Sequence, residues 1–249
     1  SGGAAAISTS TTWTKASAPY CINANVTVTG TGTRLTIEPG VTLLFNAATY
    51  GVSVSSGASI QSVGTMAEPV IFTSAKPNAA PKDWSGVLID TNAEINNLSV
   101  TVSGNEAISE TNGTTGSSFI YTVFEYSGVN GSNADGSAIR ARVPIWIEYS
   151  QFRFLQRTNC SGGSAGIFVD TNVNTWVILR SNHFLENKAG NCGTTPADVF
   201  LNNGRAVLKS NSFYNSIADS NSNGGSISTA STMGASTFAG NLFFNTIDK

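Results

Sequence analysis

Phenylalanine recurs in this chain at intervals of roughly 30 residues, at Phe124, Phe152, Phe184, Phe213 and Phe243. The surroundings recur with it. Four segments read Ile145-Trp-Ile-Glu-Tyr-Ser-Gln-Phe152, Val177-Ile-Leu-Arg-Ser-Asn-His-Phe184, Ala206-Val-Leu-Lys-Ser-Asn-Ser-Phe213 and Ser236-Thr-Phe-Ala-Gly-Asn-Leu-Phe243, with a looser copy from Ser117 to Phe124. Two residues before each ring stands a small polar residue: Thr122, Ser150, Asn182, Asn211 or Asn241. Repeats of this period belong to architectures in which each unit buries its apolar face only against its neighbours.

The local pattern within each repeat is strand. Apolar and polar residues alternate, β-branched and aromatic residues are common, and Gly, Asn and Ser punctuate the runs. A second recurring strand is Val87-Leu-Ile-Asp-Thr-Asn92, echoed by Ile167-Phe-Val-Asp-Thr-Asn172 and more loosely by Phe200-Leu-Asn-Asn203. Helical periodicity is scarce. Several short strands per repeat, with near-identical copies, predict an all-β solenoid of parallel strands. Each coil would stack on the last at about 4.8 Å. The phenylalanines would then form an inward file, and Asn182, Asn211 and Asn241 a file bonded side chain to side chain and to turn backbone. A β-sandwich is the alternative, but it does not require like residues to recur in columns.

The first half repeats less clearly but reads the same way. Arg34-Leu-Thr-Ile-Glu-Pro-Gly-Val-Thr-Leu-Leu-Phe45 is two short strands around a Pro-Gly turn, followed by strands near Gly51, Ser59, Val70 and Trp84. These segments resemble the opening coils of right-handed parallel β-helix proteins of the secreted, pectate-lyase-like superfamily. The resemblance covers roughly residues 25–249. It implies a right-handed parallel β-helix of roughly seven to eight coils at the ~30-residue period. Residues 1–24 would be a lead-in or cap segment, and 219–235, rich in Ser, Asn and Gly, a long loop. The resemblance says little about activity, because this fold carries lyases, epimerases, adhesins and structural domains.

Composition narrows the field further. The 13 basic and 15 acidic residues give a net charge of −2, and only 11% of residues are charged, which disfavours a nucleic-acid surface. No apolar run reaches the ~18–20 residues of a membrane span. The N-terminus has no Met and no leader-like pattern, so Ser1 reads as a processed or trimmed end. Low charge and abundant Ser, Thr and Asn suit an extracellular or cell-surface location. With one histidine, His183, and no paired-cysteine motif, no metal site or cofactor is expected. The register places Cys160 and Cys192 in neighbouring turns and predicts a disulfide there, leaving Cys21 over. Glycosylation sequons occur at Asn25, Asn97, Asn112, Asn130 and Asn159 and matter only in a glycosylating source.

The charged residues fall into columns. Four before Phe stand Glu148, Arg180, Lys209 and Ala239; just after Phe stand Glu125, Arg153, Leu185, Tyr214 and Phe244. These predict the ion pairs Glu148–Arg180 and Glu125–Arg153 between adjacent coils. The functional alternative is a site for an acidic glycan around Glu125, Glu148 and Arg153, with Arg140, Arg142 and Arg157 nearby. Asp90, Asp170 and Asn202 follow equivalent strands. They would be a Ca²⁺ column or, as we prefer, residues of side-chain-capped turns. His183 is expected on the outer side of its strand, with no catalytic triad around it. Leu185, Tyr214 and Phe244 should point outward as an apolar column, covered by a loop or offered to a partner. Trp13, Tyr20 and Trp84 are read as cap or core packing rather than as a sugar platform. Thr27, Thr29, Thr31 and Thr33 suggest an ice-binding row, but they do not recur in register.

Function then divides. The leading expectation is a non-catalytic extracellular structural or adhesive surface protein. No capping helix follows the last strand, so the Phe243 layer should be bare; either the chain is a piece of a longer one, or something else covers that end, such as residues 1–20 of another copy, building a filament or layer. The expected partners are thus other copies or surface proteins. The alternative is a polysaccharide lyase, an epimerase or a polysaccharide-binding module, with polysaccharide as partner. Nucleic acid is not expected as a partner.

Overall fold

The computed structural model describes residues 5–104, 106–129, 138–158, 163–171, 175–190, 196–218, 225–230 and 234–248. The chain winds as a parallel β-helix. Three sheets each contain eight strands, one per coil, and every pairing within them is parallel. A fourth sheet of five short strands joins from Gly128–Val129 onward. One full coil runs through Ile139–Ala141, Ile145–Glu148, Gln151–Arg153 and Gln156–Arg157, in the first to fourth sheets respectively.

Alternation along each strand decides what is buried. In the first sheet Val87, Ile139, Ile167 and Val199 stack inward, all at most 2% exposed. In the third sheet the phenylalanines form the expected file. Phe124, Phe152, Phe184, Phe213 and Phe243 stack with neighbouring centroids 4.8–5.1 Å apart and planes within 13°. The file extends one coil beyond the sequence repeat to Phe72, 5.0 Å from Phe124. The next register position is Leu43, and Phe45 and Trp84 stack beside it at 4.2 Å. Trp84 is fully buried in the core, and its Nε1 donates to the Glu125 carbonyl at 2.7 Å. Trp13 and Tyr20 stack on each other at 4.9 Å in the first coil.

From the strand Ser117–Ile120 onward, corners between the second and third sheets are made by one left-handed residue per coil: Tyr121, Tyr149, Ser181, Ser210 and Gly240, with φ from 47° to 62°. The next residue ties the corner to the next coil. Asn182 Oδ1 accepts from the Ser150 amide, while Nδ2 donates to the Ile147 carbonyl and to Asn211 Oδ1, all at 3.0–3.1 Å. Asn211 and Asn241 repeat this one coil further on. The bend exposes backbone groups that no strand can pair, and the amide supplies both a donor and an acceptor to fill them.

The lead-in segment is built of strands, and one other segment, 219–235, differs from expectation. The stretch before residue 25 supplies the first strand of each long sheet, Ala5–Ile7, Thr11–Trp13 and Tyr20–Ile22. Its composition hides this, because strands of three residues with Ser and Thr between them leave little apolar signal. The expected loop at 219–235 contains the strand Ile227–Thr229, paired with Val199, Phe200 and Leu201. Only one of its residues, Ile227, is apolar, and the pairing rests on its neighbour's backbone.

The sequence reading missed an antiparallel hairpin, Ser99–Ser103 with Glu106–Thr111, that leaves the coil after the fourth strand of the first sheet, Val87–Ile89. It lies along the outside of the second sheet. Ala107, Trp146, Ile178 and Val207 make a second small core beneath it, joined by Leu98, Val100, Ile120 and Trp176. Among the described residues no helix is long and apolar enough to cross a membrane.

Candidate functional site

The outer face of the third sheet holds Glu125, Arg153, His183, Leu185, Tyr214 and Phe244 of the residues singled out by the sequence. Arg153, Leu185, Tyr214 and Phe244 are in direct register. Tyr214 and Phe244 are 39% and 53% exposed, with rings stacked at 4.6 Å. The apolar column is therefore present. The described part of 219–235 that could have covered it is a strand of the first sheet. In the next column His183 is exposed, and its Nδ1 lies 2.6 Å from Ser212 Oγ. In the last described coil Leu242, Phe243 and Phe244 are each at least half exposed.

The candidate glycan residues are held in ion pairs. Glu125 pairs with Arg153 across one coil and also accepts from Thr73 Oγ1 at 2.9 Å. Glu148 lies 3.6 Å from Arg180 and accepts from Trp146 Nε1 at 3.0 Å. Arg180 also approaches Glu110 of the hairpin at 3.7 Å, and Lys209 Nζ donates to the same carboxylate at 2.6 Å. Glu125 and Glu148 thus face different sheets, and the structure does not bring them to one site.

Two aromatic pairs frame the Glu125–Arg153 pair. Tyr121 stacks on Tyr149 at 4.9 Å at one corner of the third sheet, and Tyr126 on Phe154 at 5.5 Å at the other. All four have left-handed backbone, φ 47–60°. In later coils the same corners hold Ser181, Ser210 and Gly240, or Glu186, Asn215 and Asn245. Left-handed positions favour Gly and Asn, so aromatic residues there sit against backbone preference.

At the end of the first sheet the register runs Asp90, Arg142, Asp170 and Asn203. Asp90 and Asp170 are therefore separated by an arginine and do not converge as metal ligands. Arg142 donates to Asp90 at 2.9 Å, and Arg140 to Asp170 at 3.3 Å. Asp90 also accepts from the Thr91 amide, the expected turn cap. Asn202 is an extra residue at a register shift, and both it and Asn203 donate to Asp170. Burial pushes both aspartates up. For Asp90 the Thr91 amide and Arg142 outweigh it; for Asp170 the two asparagines and Arg140 do. Both carboxyls end below their ordinary value. Arg140 lies over the Phe168 ring at 4.8 Å and is lowered by burial and by Arg142, against Asp170.

Arg157, grouped by the sequence with an open cleft, is fully enclosed. Burial first, and Arg140 second, lower it to about 10. A Cβ on Gly163 would sit 2.9 Å from its guanidinium carbon, so the wall closes directly on it. It alternates inward on a two-residue strand of the fourth sheet, a sheet the sequence did not reveal. The Thr27 row also fails to form: Thr27 stacks between Ala6 and Ser53, followed by Leu88 and Arg140.

A polar depression of about 290 Å³ lies over Ser10, Thr11, Thr12, Gly32, Arg34 and Thr36. Among the described residues no three His, Cys, Asp or Glu gather as a metal site. Cys160 and Cys192 lie outside the described residues, and Cys21 is exposed and free. The side chain of Asn97, one of the sequon asparagines, accepts from the amides of Thr114 and Thr115 at the hairpin base.

A family model described as a pectate-lyase like beta helix domain matches residues 5–143, more than half of the chain. The match starts at the first described strand and takes in the hairpin. Comparison with curated proteins and with solved structures returns no match.

Proposed function

The chain belongs to the pectate-lyase-like β-helix family, and on that footing we propose that it is a non-catalytic, extracellular structural or adhesive scaffold. One observation carries the reading. The charged side chains that a lyase or epimerase would need free are committed to partners along the coils: Glu125 to Arg153, Glu148 to Arg180, Asp90 to Arg142 and Asp170 to Arg140. Proton abstraction beside a sugar carboxylate needs a base within reach of substrate and a cationic group left to bind it. Here each of these four carboxylates already neutralises an arginine, and Arg157 is sealed from solvent. An external location is supported by the low charge, by the Ser, Thr and Asn content, and by the usual setting of this family.

The test is direct. The full chain, incubated with a panel of acidic polysaccharides with and without Ca²⁺, should produce no unsaturated-product absorbance. Turnover that is lost in Arg153→Ala would overturn the scaffold reading and place chemistry on the third sheet.

A second reading, polysaccharide binding without cleavage, is favoured by the aromatic corners. Four rings held at left-handed positions around an acid–base pair suit sugar contact through ring edges and hydroxyl-bonding groups. Affinity electrophoresis in polysaccharide gels checks it. Retardation that Tyr149→Ala relieves supports this reading, and mobility equal to that in plain gel removes it.

A further inference from the structure

We propose that the outer edge of the hairpin, Ser99–Ser103, is a self-association surface that pairs antiparallel with the same strand of a second copy. The hairpin is a separate two-stranded sheet, so among the described residues one side of Ser99–Ser103 has no partner strand. Four of its five residues are exposed. Proteins ordinarily guard such an edge with charge, proline or a bulge. This one has none of them. The sequence Ser-Val-Thr-Val-Ser carries no charge and no proline. The register shift of the hairpin between Thr101 and Val102 places the extra residue, Ile108, on the other strand. The free edge therefore stays regular, while β-branched residues give it high strand propensity.

The choice of partner follows from symmetry. Ser99-Val-Thr-Val-Ser103 reads the same in both directions. In an antiparallel pair centred on Thr101, Ser99 meets Ser103, Val100 meets Val102 and Thr101 meets its own copy. Apolar side chains then face apolar ones on one side, and hydroxyls face hydroxyls on the other. That is the self-complementarity a two-fold interface needs. The neutral edge brings no like charges together, and the one carboxylate deep in the hairpin, Glu110, is already held by Lys209 and Arg180. Leu98 and Val100 face the solenoid, so Thr101 projects away from it. The two-fold axis stands perpendicular to the joint sheet. The two solenoids consequently lie side by side on one face of a four-stranded sheet, and not end to end. A five-residue edge buries well under the ~1,200 Å² of a stable complex. Association is accordingly weak in dilute solution and grows where copies are crowded together. The inference is independent of whether the protein acts on or binds a glycan.

The experiment uses the full chain with Cys21→Ser as background. Directly opposed residues of an antiparallel pair bring their Cα atoms within disulfide reach. Thr101→Cys should therefore form a covalent dimer under mild oxidation at least about ten-fold faster than Glu106→Cys at the tip. The rate should rise with protein concentration. In sedimentation, Thr101→Lys and Thr101→Glu should each associate less than the parent. Their equimolar mixture should recover association, since opposite charges then meet across the axis. Thr101→Cys that cross-links no faster than Glu106→Cys, or a mixture no more associated than its components, overturns the proposal.

Discussion

Asp198 shows how much a single buried group can decide. It is fully buried just before the first-sheet strand Val199–Asn203. Its Oδ1 accepts from Asn187 Nδ2 at 2.8 Å and from Ser216 Oγ at 2.9 Å, and the Ser226 hydroxyl also favours the ionised carboxylate. Burial, opposed by those hydrogen bonds, raises its pKa from 3.8 to about 7. A folded-state value above the unfolded one means that protonation favours the native state. The contribution is complete below about pH 4 and is lost as pH rises through about 7. It is on the order of 4 kcal/mol, at about 1.4 kcal/mol per pH unit between the two values. Wild type compared with Asp198→Asn should therefore gain relative stability on acidification from pH 8 to 4.5, read by urea unfolding. A constant difference across that range would mean Asp198 keeps an ordinary pKa. The same residue marks a limit of sequence reading. Asn182 was legible because Asn211 and Asn241 repeat it. Asn187 and Asp198 do equivalent work, but the positions matching Asn187 hold Leu155 and Ser216, so no column announces them.

Among elements, the third sheet was the most legible and the hairpin the least, for one physical reason. A strand stacked on a copy of itself inherits its neighbour's pattern, so Phe184 is echoed at Phe124, Phe152, Phe213 and Phe243, and Asn182 at Asn211 and Asn241. An insertion has no copy, and its docking face is set by tertiary contact alone. The two kinds of residue should also fail differently. Asn182→Ala leaves the Ser150 amide and the Ile147 carbonyl unpaired in a buried corner, at about 1–3 kcal/mol for each. Phe184→Ala opens a void between two stacked rings and should cost about 3–5 kcal/mol. Both losses are measurable by urea unfolding. Equal stability of Asn182→Ala and wild type would show that water fills the corner as well as the amide does. The candidate site divides in the same way. The register gave Glu125–Arg153 and the Leu185–Tyr214–Phe244 column, but the aromatic corners escaped because Tyr121, Tyr149, Tyr126 and Phe154 each span only two coils.

For the whole molecule, a solenoid in which each coil touches only its neighbours has stability that adds coil by coil. The hairpin breaks that rule. Its base is fixed near Ser117 by Asn96, which donates to the Ser117 carbonyl and accepts from the Gly113 amide. Its far contacts reach Lys209 and Thr237, where the Ala107 amide donates to Thr237 Oγ1 at 2.7 Å. It therefore runs along the stack as a strap over Trp146, Ile178 and Val207, which belong to three successive coils. Removing it would expose those side chains at about 1.5–3 kcal/mol each and leave Lys209 without Glu110. The coils it ties together should then open more readily than those it does not touch. Replacing residues 99–111 with a short Gly-Ser turn tests this by hydrogen exchange. Amides of strands from Ile145–Glu148 to Thr237–Ala239 should lose protection, while those of Arg34–Ile37 and Thr42–Phe45 keep theirs. If protection falls uniformly along the chain, the β-helix unfolds as one cooperative unit and the strap has no local role. If it falls nowhere, the small core beneath the hairpin contributes nothing that the stacked coils do not already supply.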